Sequence, residues 1–333
     1  MKRLLYLMYY LKGLDKARYR KFAKHLQELK GWSQTGIALR ALYAVLRYNI
    51  SILEYFQFRF YDLPHEERKK WAGTGYMYEY QLLMNPKKYR VYLEDKRVFL
   101  QKFKDFVRHR HVSLDALKQD KALSHELFIN SSGKLVLKSH NGQCGVGVEV
   151  VDVRTMDEDQ LIKHLEQTGN DLVEEYIVQH PDLMRLSPAG LNTVRIFTQL
   201  NRNNEVELLG CRLRITVNSH VDNMAAGNIA APIDSQTGRV SGPGVYSDIT
   251  KPDEYIHPVT RVPIVGFQVP FWQETLEMVK KAALSFPECR SIGWDIAITA
   301  QGPELIEGNH NWCKLLWQLP AKKGMKEELY KYL

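Results

Sequence analysis

Cysteine is scarce in this 333-residue chain: Cys144, Cys211, Cys289 and Cys313 stand apart, with no Cys-x-x-Cys pair and no metal-ligand spacing. Scattered thiols of this kind argue against a disulfide scaffold or a zinc site and for a reducing compartment. No apolar run approaches the roughly 18 residues that a membrane-spanning helix needs. The start, MKRLLYLMYYLKGL, is basic, but its apolar run is short and no small-residue cleavage site follows, so it does not read as a secretory signal. The expected location is therefore the cytoplasm. Repeats, low-complexity segments and a regular strand–helix–strand alternation are all missing. Helices and strands mixed without that alternation predict an α+β fold.

The bulk composition is ordinary, and the charge is uneven. Hydrophobic residues make up 44% and charged residues 25%, as in a soluble globular protein. The length allows two or three lobes and at least one sizeable core. The net charge of +8 hides a division: residues 1–111 hold 24 Lys and Arg against 10 Asp and Glu, and the remainder holds 22 against 28. The basic third reads either as a solvated helical face or as a surface that touches anionic lipid or an acidic polymer, peripherally at the inner membrane face. Its aromatic residues, Tyr55, Phe56, Phe58, Phe60 and Tyr61, are not interleaved with enough Lys and Arg to form a base-stacking strip. Nucleic acid is therefore not an expected partner.

Residues 1–90 predict helices. Leu4, Leu7, Met8 and Leu11, then Phe22, Leu26 and Leu29, then Leu39, Leu42, Leu46 and Leu53 recur at helical spacing, and the last run stops at Pro64. From residue 91 the texture changes. DKRVFLQKFKDFVRHRHV predicts one more helix, ELFIN a strand, and KLVLKSHNGQCGVGVEVVDV two strands around a Gly-rich turn. DEDQLIKHLEQTG predicts a short helix closed by Gly169, and DLVEEYIVQH a strand that runs into a linker at Pro181. NTVRIFTQLNRNNEVELLGCRLRITV predicts a hairpin turning at residues 201–204. FWQETLEMVKKAALSFP predicts a helix with Leu276, Val279 and Leu284 inward, followed by WDIAIT and ELIEGN, two strands joined by the turn-forming AQGP. A Lys-rich C-terminal helix closes the chain.

Four groups of residues carry candidate chemistry. Glu307 and Asn309 are two apart, so on a strand both side chains leave one face. Asp295 joins them if the register pairs residues 294–297 with 305–308. Three oxygen donors on one face form a half-shell for Mg²⁺, which typically takes one or two protein carboxylates and completes its sphere with water and phosphates. Lys138 ends an apolar strand before SHNGQCGVGV, where Gly142, Gly145 and Gly147 let the backbone approach phosphates and offer them N–H groups. It is not a Walker loop, since no Gly-Lys-Ser/Thr follows and no helix starts there. Glu174 and Glu175 end a strand just before a loop, a place from which a carboxylate could reach an adenine amino group. Arg195, Arg212 and Arg214 lie on one hairpin, 212 and 214 spaced to share a face, and a guanidinium suits phosphate or carboxylate. Each group alone also fits a plain structural role: a strand-end acid beside a base, a hairpin turn, a surface arginine.

Their order along the chain is more informative. Over residues 91–320 the succession of Lys and Gly-rich hairpin, Glu-rich strand end, Arg hairpin, strand Asp and Glu-x-Asn resembles the ATP-grasp superfamily. LNTVRIFT, HVDNMAAGNIAAPID with TGRV, and IGWDIAI followed by PELIEGN resemble its sugar-transfer-associated branch. YNISILEYFQFRFYDLPHEER is similar to the helical lead-in of that branch.

The resemblance implies ATP held between two α+β subdomains, 91–178 and 179–333, after a basic helical region, 1–90. It implies Lys96 and Lys138 as the ATP lysines, with Lys102 the alternative to Lys96. The loop Asn141, Gly142, Gly145, Gly147 would cover the phosphates; Glu174 would meet the adenine amino group, with Glu175, Tyr176 and Ile177 as the hinge. Asp295, Glu307 and Asn309 would hold one or two Mg²⁺ ions. Arg195 and Arg214, with Arg212 a further candidate, would stabilise the transferring phosphoryl group. His220, Asp222, Asn223 and His310 fall on the substrate side, and Trp312 reads as core. Two departures stand out. Gly293 occupies the place, two residues before the first metal Asp, where many ATP-grasp ligases carry Arg. Basic helices replace the Rossmann-like lobe that helps many relatives to bind their acceptor.

The implied activity is carboxylate–amine ligation through an acyl phosphate, with small-molecule or saccharide substrates, for instance a sugar acid of a surface polysaccharide. Phosphotransfer to a sugar hydroxyl is the alternative within enzymes. A non-catalytic protein that binds nucleotide, anionic glycan or a membrane surface is the alternative outside them.

Overall fold

The computed structural model describes every residue except Met1, Ser131, residues 143–146, His220 and Val221; the side chain of Lys2 is also outside the description. Helix borders follow cap chemistry. Asp15 accepts from the Arg18 N–H to start Lys16–Lys30, and Gly31, with φ of 69°, ends it in the left-handed conformation. Ser33 and Asn49 do the same for Gln34–Tyr48. These lead-in helices are tied to the rest of the chain by buried Glu54. Its carboxylate accepts from the N–H groups of Ser51 and Thr74 and from the Thr74 hydroxyl, and lies 3.0 Å from Lys314 Nζ.

Two antiparallel sheets follow. The first holds β1 (His111–Ser113), β2 (Lys134–Lys138), β3 (Glu149–Asp152) and β4 (Leu172–Glu175) in the order β1-β4-β2-β3. The second holds β5 (Val194–Leu200), β6 (Val206–Ile215), β7 (Ile229–Ile233), β8 (Ser291–Thr299) and β9 (Gly302–Asn309) in the order β7-β6-β5-β8-β9. The α+β architecture is the one that the composition and patterning predict.

Strand periodicity decides what faces what. Val194, Ile196, Leu213, Ile292, Trp294 and Ile296 pack with Val279 and Ala282 of the helix Trp272–Leu284 in the largest core. The alternate residues Arg195, Arg214, Gly293 and Asp295 therefore leave the opposite face of the sheet. That face is covered in part by Phe197, Trp312 and Trp317, which belong to a separate cluster.

Several local expectations do not hold. ELFIN is not a strand: His125–Phe128 is a helical turn whose Leu127 is buried. A short apolar run is ambiguous by periodicity alone. DKRVFLQKFKDFVRHRHV is not one helix; the helix Lys96–Lys102 stops, a 3₁₀ turn spans Lys104–Phe106, and His111 pairs with Glu174 in β1. The C-terminal helix is a short one, Lys314–Gln318, followed by a 3₁₀ segment, Lys326–Tyr332. Leu284, expected inward, is exposed. The helices predicted from the N-terminal leucine spacing do form, but Leu4, Met8, Leu11, Leu29, Leu39, Leu42 and Leu46 are exposed on them. Tyr10, Phe22, Leu26, Ile37, Ala41, Ala44, Val45 and Tyr48 are among the buried residues of these helices.

Candidate active site

Asp295 sits in the middle of β8 and is buried, with two guanidinium groups on it. Arg195 lies directly opposite on β5, and the pair is bidentate: Nε donates to Oδ1, and Nη2 to Oδ2 at 2.6 Å. Arg214, from β6, donates through Nη1 to the same Oδ2 at 2.7 Å and through Nη2 reaches Asp222 Oδ1 at 2.6 Å. Asp222 also accepts from the Thr193 N–H at 3.1 Å and from the Thr193 hydroxyl. Burial raises the Asp295 pKa, but Arg195 and Arg214 outweigh it and hold the carboxyl below its ordinary range. Burial pulls Arg214 down, and Asp222 and Asp295 more than restore it, so its charge is secure.

The Gly293 departure is explained here. A Cβ at 293 would stand 2.7 Å from Trp312 Cβ and 3.3 Å from Arg195 Cδ. The position has no room for an arginine, chiefly because Trp312 fills the space, with Arg195 closing the other side.

Glu307 pairs with Asp295 across β8 and β9, and Asn309 with Gly293, so the three expected donors share one face. The register differs slightly from expectation: Trp294 meets Gly308, but a bulge after Asp295 sets Ile296 against Leu305 and Ala297 against Glu304. Asn309 Nδ2 donates to Glu307 Oε1 at 3.1 Å. Burial, and then the adjacent Asp295 carboxylate, push the Glu307 pKa up. Among the described residues no group of three His, Cys, Asp or Glu is arranged to hold a metal. The donor set is instead two carboxylates and an amide, which suits Mg²⁺ with phosphate oxygens completing its sphere. Lone-pair arithmetic agrees. Each carboxylate oxygen can accept twice, and Glu307, which accepts from Asn309 and shares a hydrogen bond with Asp295, keeps acceptor sites open.

The facing jaw comes from the first sheet. Lys138, at the end of β2, lies 2.5 Å from Glu174 Oε2 on β4. Lys96 donates to the Gly142 carbonyl, and burial lowers its pKa while Glu307 and Glu174 act to raise it. Lys96, Lys138, Glu174 and Glu307 are therefore electrostatic neighbours across the two sheets. Asn141 accepts from the Ser139 hydroxyl, and Gly147 has a φ of 77° that favours glycine. Gly145 lies outside the described residues. Glu175 accepts from the Arg110 N–H at 3.3 Å, and Tyr176 and Ile177 continue as irregular, half-buried chain.

Other expected residues are placed elsewhere. Arg212 does not join Arg195 and Arg214; its Nε and Nη2 donate to the Trp317 carbonyl, and burial lowers its pKa to about 10. Lys102 is exposed, with Nζ 5.5 Å from the centre of the Phe286 ring. His310 pairs with Glu94 at 2.8 Å. Asn223 caps a 3₁₀ turn by accepting from Ala225 N–H. Trp312 is core, packed on Phe197 and Trp317. His220 lies outside the described residues.

The residue that sequence reasoning misses is His109. It is buried, with Nδ1 2.8 Å from Glu304 Oε2 on β9 and Nε2 3.4 Å from Glu174 Oε2 on β4, the second contact off the line of a hydrogen bond. It joins Glu174 of the first sheet to Glu304 of the second. Reading RHRH as helix conceals it; as a strand lead-in, the alternation of His109 and His111 is the available signal.

Two antiparallel sheets after a helical N-terminal region, in a chain that a family model matches over most of its length, make this an ATP-grasp protein. More narrowly, the chain belongs to the sugar-transfer associated ATP-grasp family, whose model matches residues 76–332. Among solved structures it is similar to the biotin carboxylase domain of Hydrogenobacter thermophilus 2-oxoglutarate carboxylase, determined with MgADP and bicarbonate (15% identity, 69% of this chain and 45% of that one, TM-score 0.40). It is also similar to biotin carboxylase from Campylobacter jejuni (15% identity, 72% and 46%, TM-score 0.45) and to D-alanine–D-alanine ligase from Bacillus anthracis (16%, 72% and 67%, TM-score 0.40). The chain thus spans less than half the length of the two carboxylases. No curated protein matches it.

Proposed function

We propose that this chain is an ATP- and Mg²⁺-dependent carboxylate–amine ligase, with ATP between the two sheets. A substrate carboxylate oxygen attacks the γ-phosphorus of ATP, the bond to the β-phosphate bridging oxygen breaks, and ADP leaves an acyl phosphate. An amine then attacks the acyl carbon, phosphate departs with the C–O bond electrons, and the nitrogen loses a proton to give the amide. The observation that carries this reading is Asp295 beneath Arg195 and Arg214, beside Glu307 and Asn309 and opposite Lys96 and Lys138. Mg²⁺, when held by Asp295, Glu307 and Asn309, neutralises phosphate charge. The chain's own contribution is positioning and fixed positive charge, which dominate phosphoryl transfer. Arg195 and Arg214 are oriented before substrate arrives, because each is fixed by buried carboxylates. Asp222 serves as the partner of Arg214 and is not free to take the amine proton. A closing Gly-rich loop would keep water from the acyl phosphate.

The family's link to sugar transfer supports a saccharide carboxylate, such as a uronic acid, as acceptor of an amine or amino acid. The test is incubation with ATP, Mg²⁺, candidate sugar acids and amines. Release of ADP and free phosphate that depends on the amine supports ligation, whereas phosphate retained on a sugar hydroxyl means phosphotransfer. Glu307→Gln keeps the shape of the site and should abolish turnover. Undiminished turnover in that variant would remove the shelf from the mechanism.

A further inference from the structure

The N-terminal helices carry a surface that the nucleotide site does not use. On the helix Lys2–Lys12, Leu4, Leu5, Met8 and Tyr9 are 59%, 63%, 63% and 71% exposed, while Tyr10 behind them is buried with Val45 and Ile52. This helix is fastened down. Arg3 Nη1 donates to the carbonyls of Leu46 at 2.7 Å and Arg47 at 3.0 Å, and the Tyr6 hydroxyl donates to Glu79 at 2.9 Å. It lies beside the helix Gln34–Tyr48, whose Leu42, Tyr43 and Leu46 are exposed as well. An apolar face of this extent marks an interaction site.

Its charge says what kind. The two helices of this face hold five Lys and Arg and no Asp or Glu, and the acid beside them, Glu79, accepts from the Tyr6 hydroxyl. Lys12 follows Met8 by four residues and Arg47 follows Tyr43 by four, which sets both cations on the rim of the apolar face. Among the described residues neither has a carboxylate within ion-pairing distance. A second copy of the chain would bury the leucines but set like charges against each other. An anionic bilayer satisfies both features, and no helix among the described residues is long and apolar enough to cross one.

We propose that this face docks on anionic phospholipid. Leu4, Leu5, Met8 and Tyr9 enter the boundary between headgroups and acyl chains, and Lys12 and Arg47 meet lipid phosphates. The test is sedimentation of the full chain with phosphatidylcholine vesicles, with and without phosphatidylglycerol, a readout independent of ATP chemistry. Binding is expected only with phosphatidylglycerol and should be released by salt. Lys12→Gln and Arg47→Gln should each weaken it about fivefold. Leu5→Glu with Met8→Glu should abolish it, with the circular dichroism spectrum unchanged. Failure to bind anionic vesicles, or equal binding to neutral ones, overturns the proposal. So does a stable dimer by light scattering that the double variant dissociates while vesicle binding is absent.

Discussion

Replacing His109 with Gln removes one positive charge from between two buried carboxylates while leaving an amide that can still donate to Glu304. Burial alone would lower the imidazole pKa, but Glu174 and Glu304 raise it from 6.5 to about 9. At about 1.4 kcal/mol for each tenfold change in proton affinity, that rise corresponds to roughly 3 kcal/mol of stability. The folded pKa lies above the unfolded one, so this contribution is complete below about pH 6.5 and is lost as pH rises through about 9. Urea unfolding of the nucleotide-free protein from pH 6.5 to 9.5 measures it. The unmodified chain should lose roughly 3 kcal/mol more across that window than His109→Gln does. At pH 6.5 the variant should be the less stable of the two, since Glu174 then keeps only Lys138 as a cationic partner. Parallel pH profiles for the two proteins would refute the reasoning, because they would mean that His109 carries no proton between the sheets.

Two further outcomes follow from the second sheet. Gly293→Ala forces a methyl group against Trp312 and Arg195 and should cost roughly 1–3 kcal/mol, read as a lower melting temperature; an unchanged melting temperature would mean that the crowding at 293 is easily relieved. Arg212→Met removes the charged donor to the Trp317 carbonyl and should cost roughly 1.5–3 kcal/mol. Titration calorimetry with a non-hydrolysable ATP analogue should show its affinity unchanged, and a large loss would return Arg212 to the site.

The two halves of the site differ in how far they are written locally. Asp295, Glu307 and Asn309 are legible because strand periodicity alone sets Glu307 and Asn309 on one face, and because β8 and β9 are joined by a short turn that fixes their register. Even the bulge after Asp295 leaves the Asp295–Glu307 pair intact, since it falls on the far side of that pair. Lys138 and Glu174 are legible by type but not as neighbours: β2 and β4 are joined through β3 and a helix, and only the pairing of Lys138 with Leu172 brings them together. Spacing cannot separate Arg212 from Arg214, which leave the same face of β6. What separates them is distant in sequence, the Trp317 carbonyl in one case and Asp222 with Asp295 in the other. The leucine stripes show the converse limit. Periodicity locates an apolar face but does not say whether protein covers it, and in residues 4–46 the protein covers the opposite face. That an apolar stripe can be correct as a stripe and wrong as a core is the reason the exposed leucines count as evidence for a partner. The opposite side of these helices, with Tyr10, Ala41, Ala44, Val45 and Tyr48, is buried, so the stripe is what remains once the core is complete.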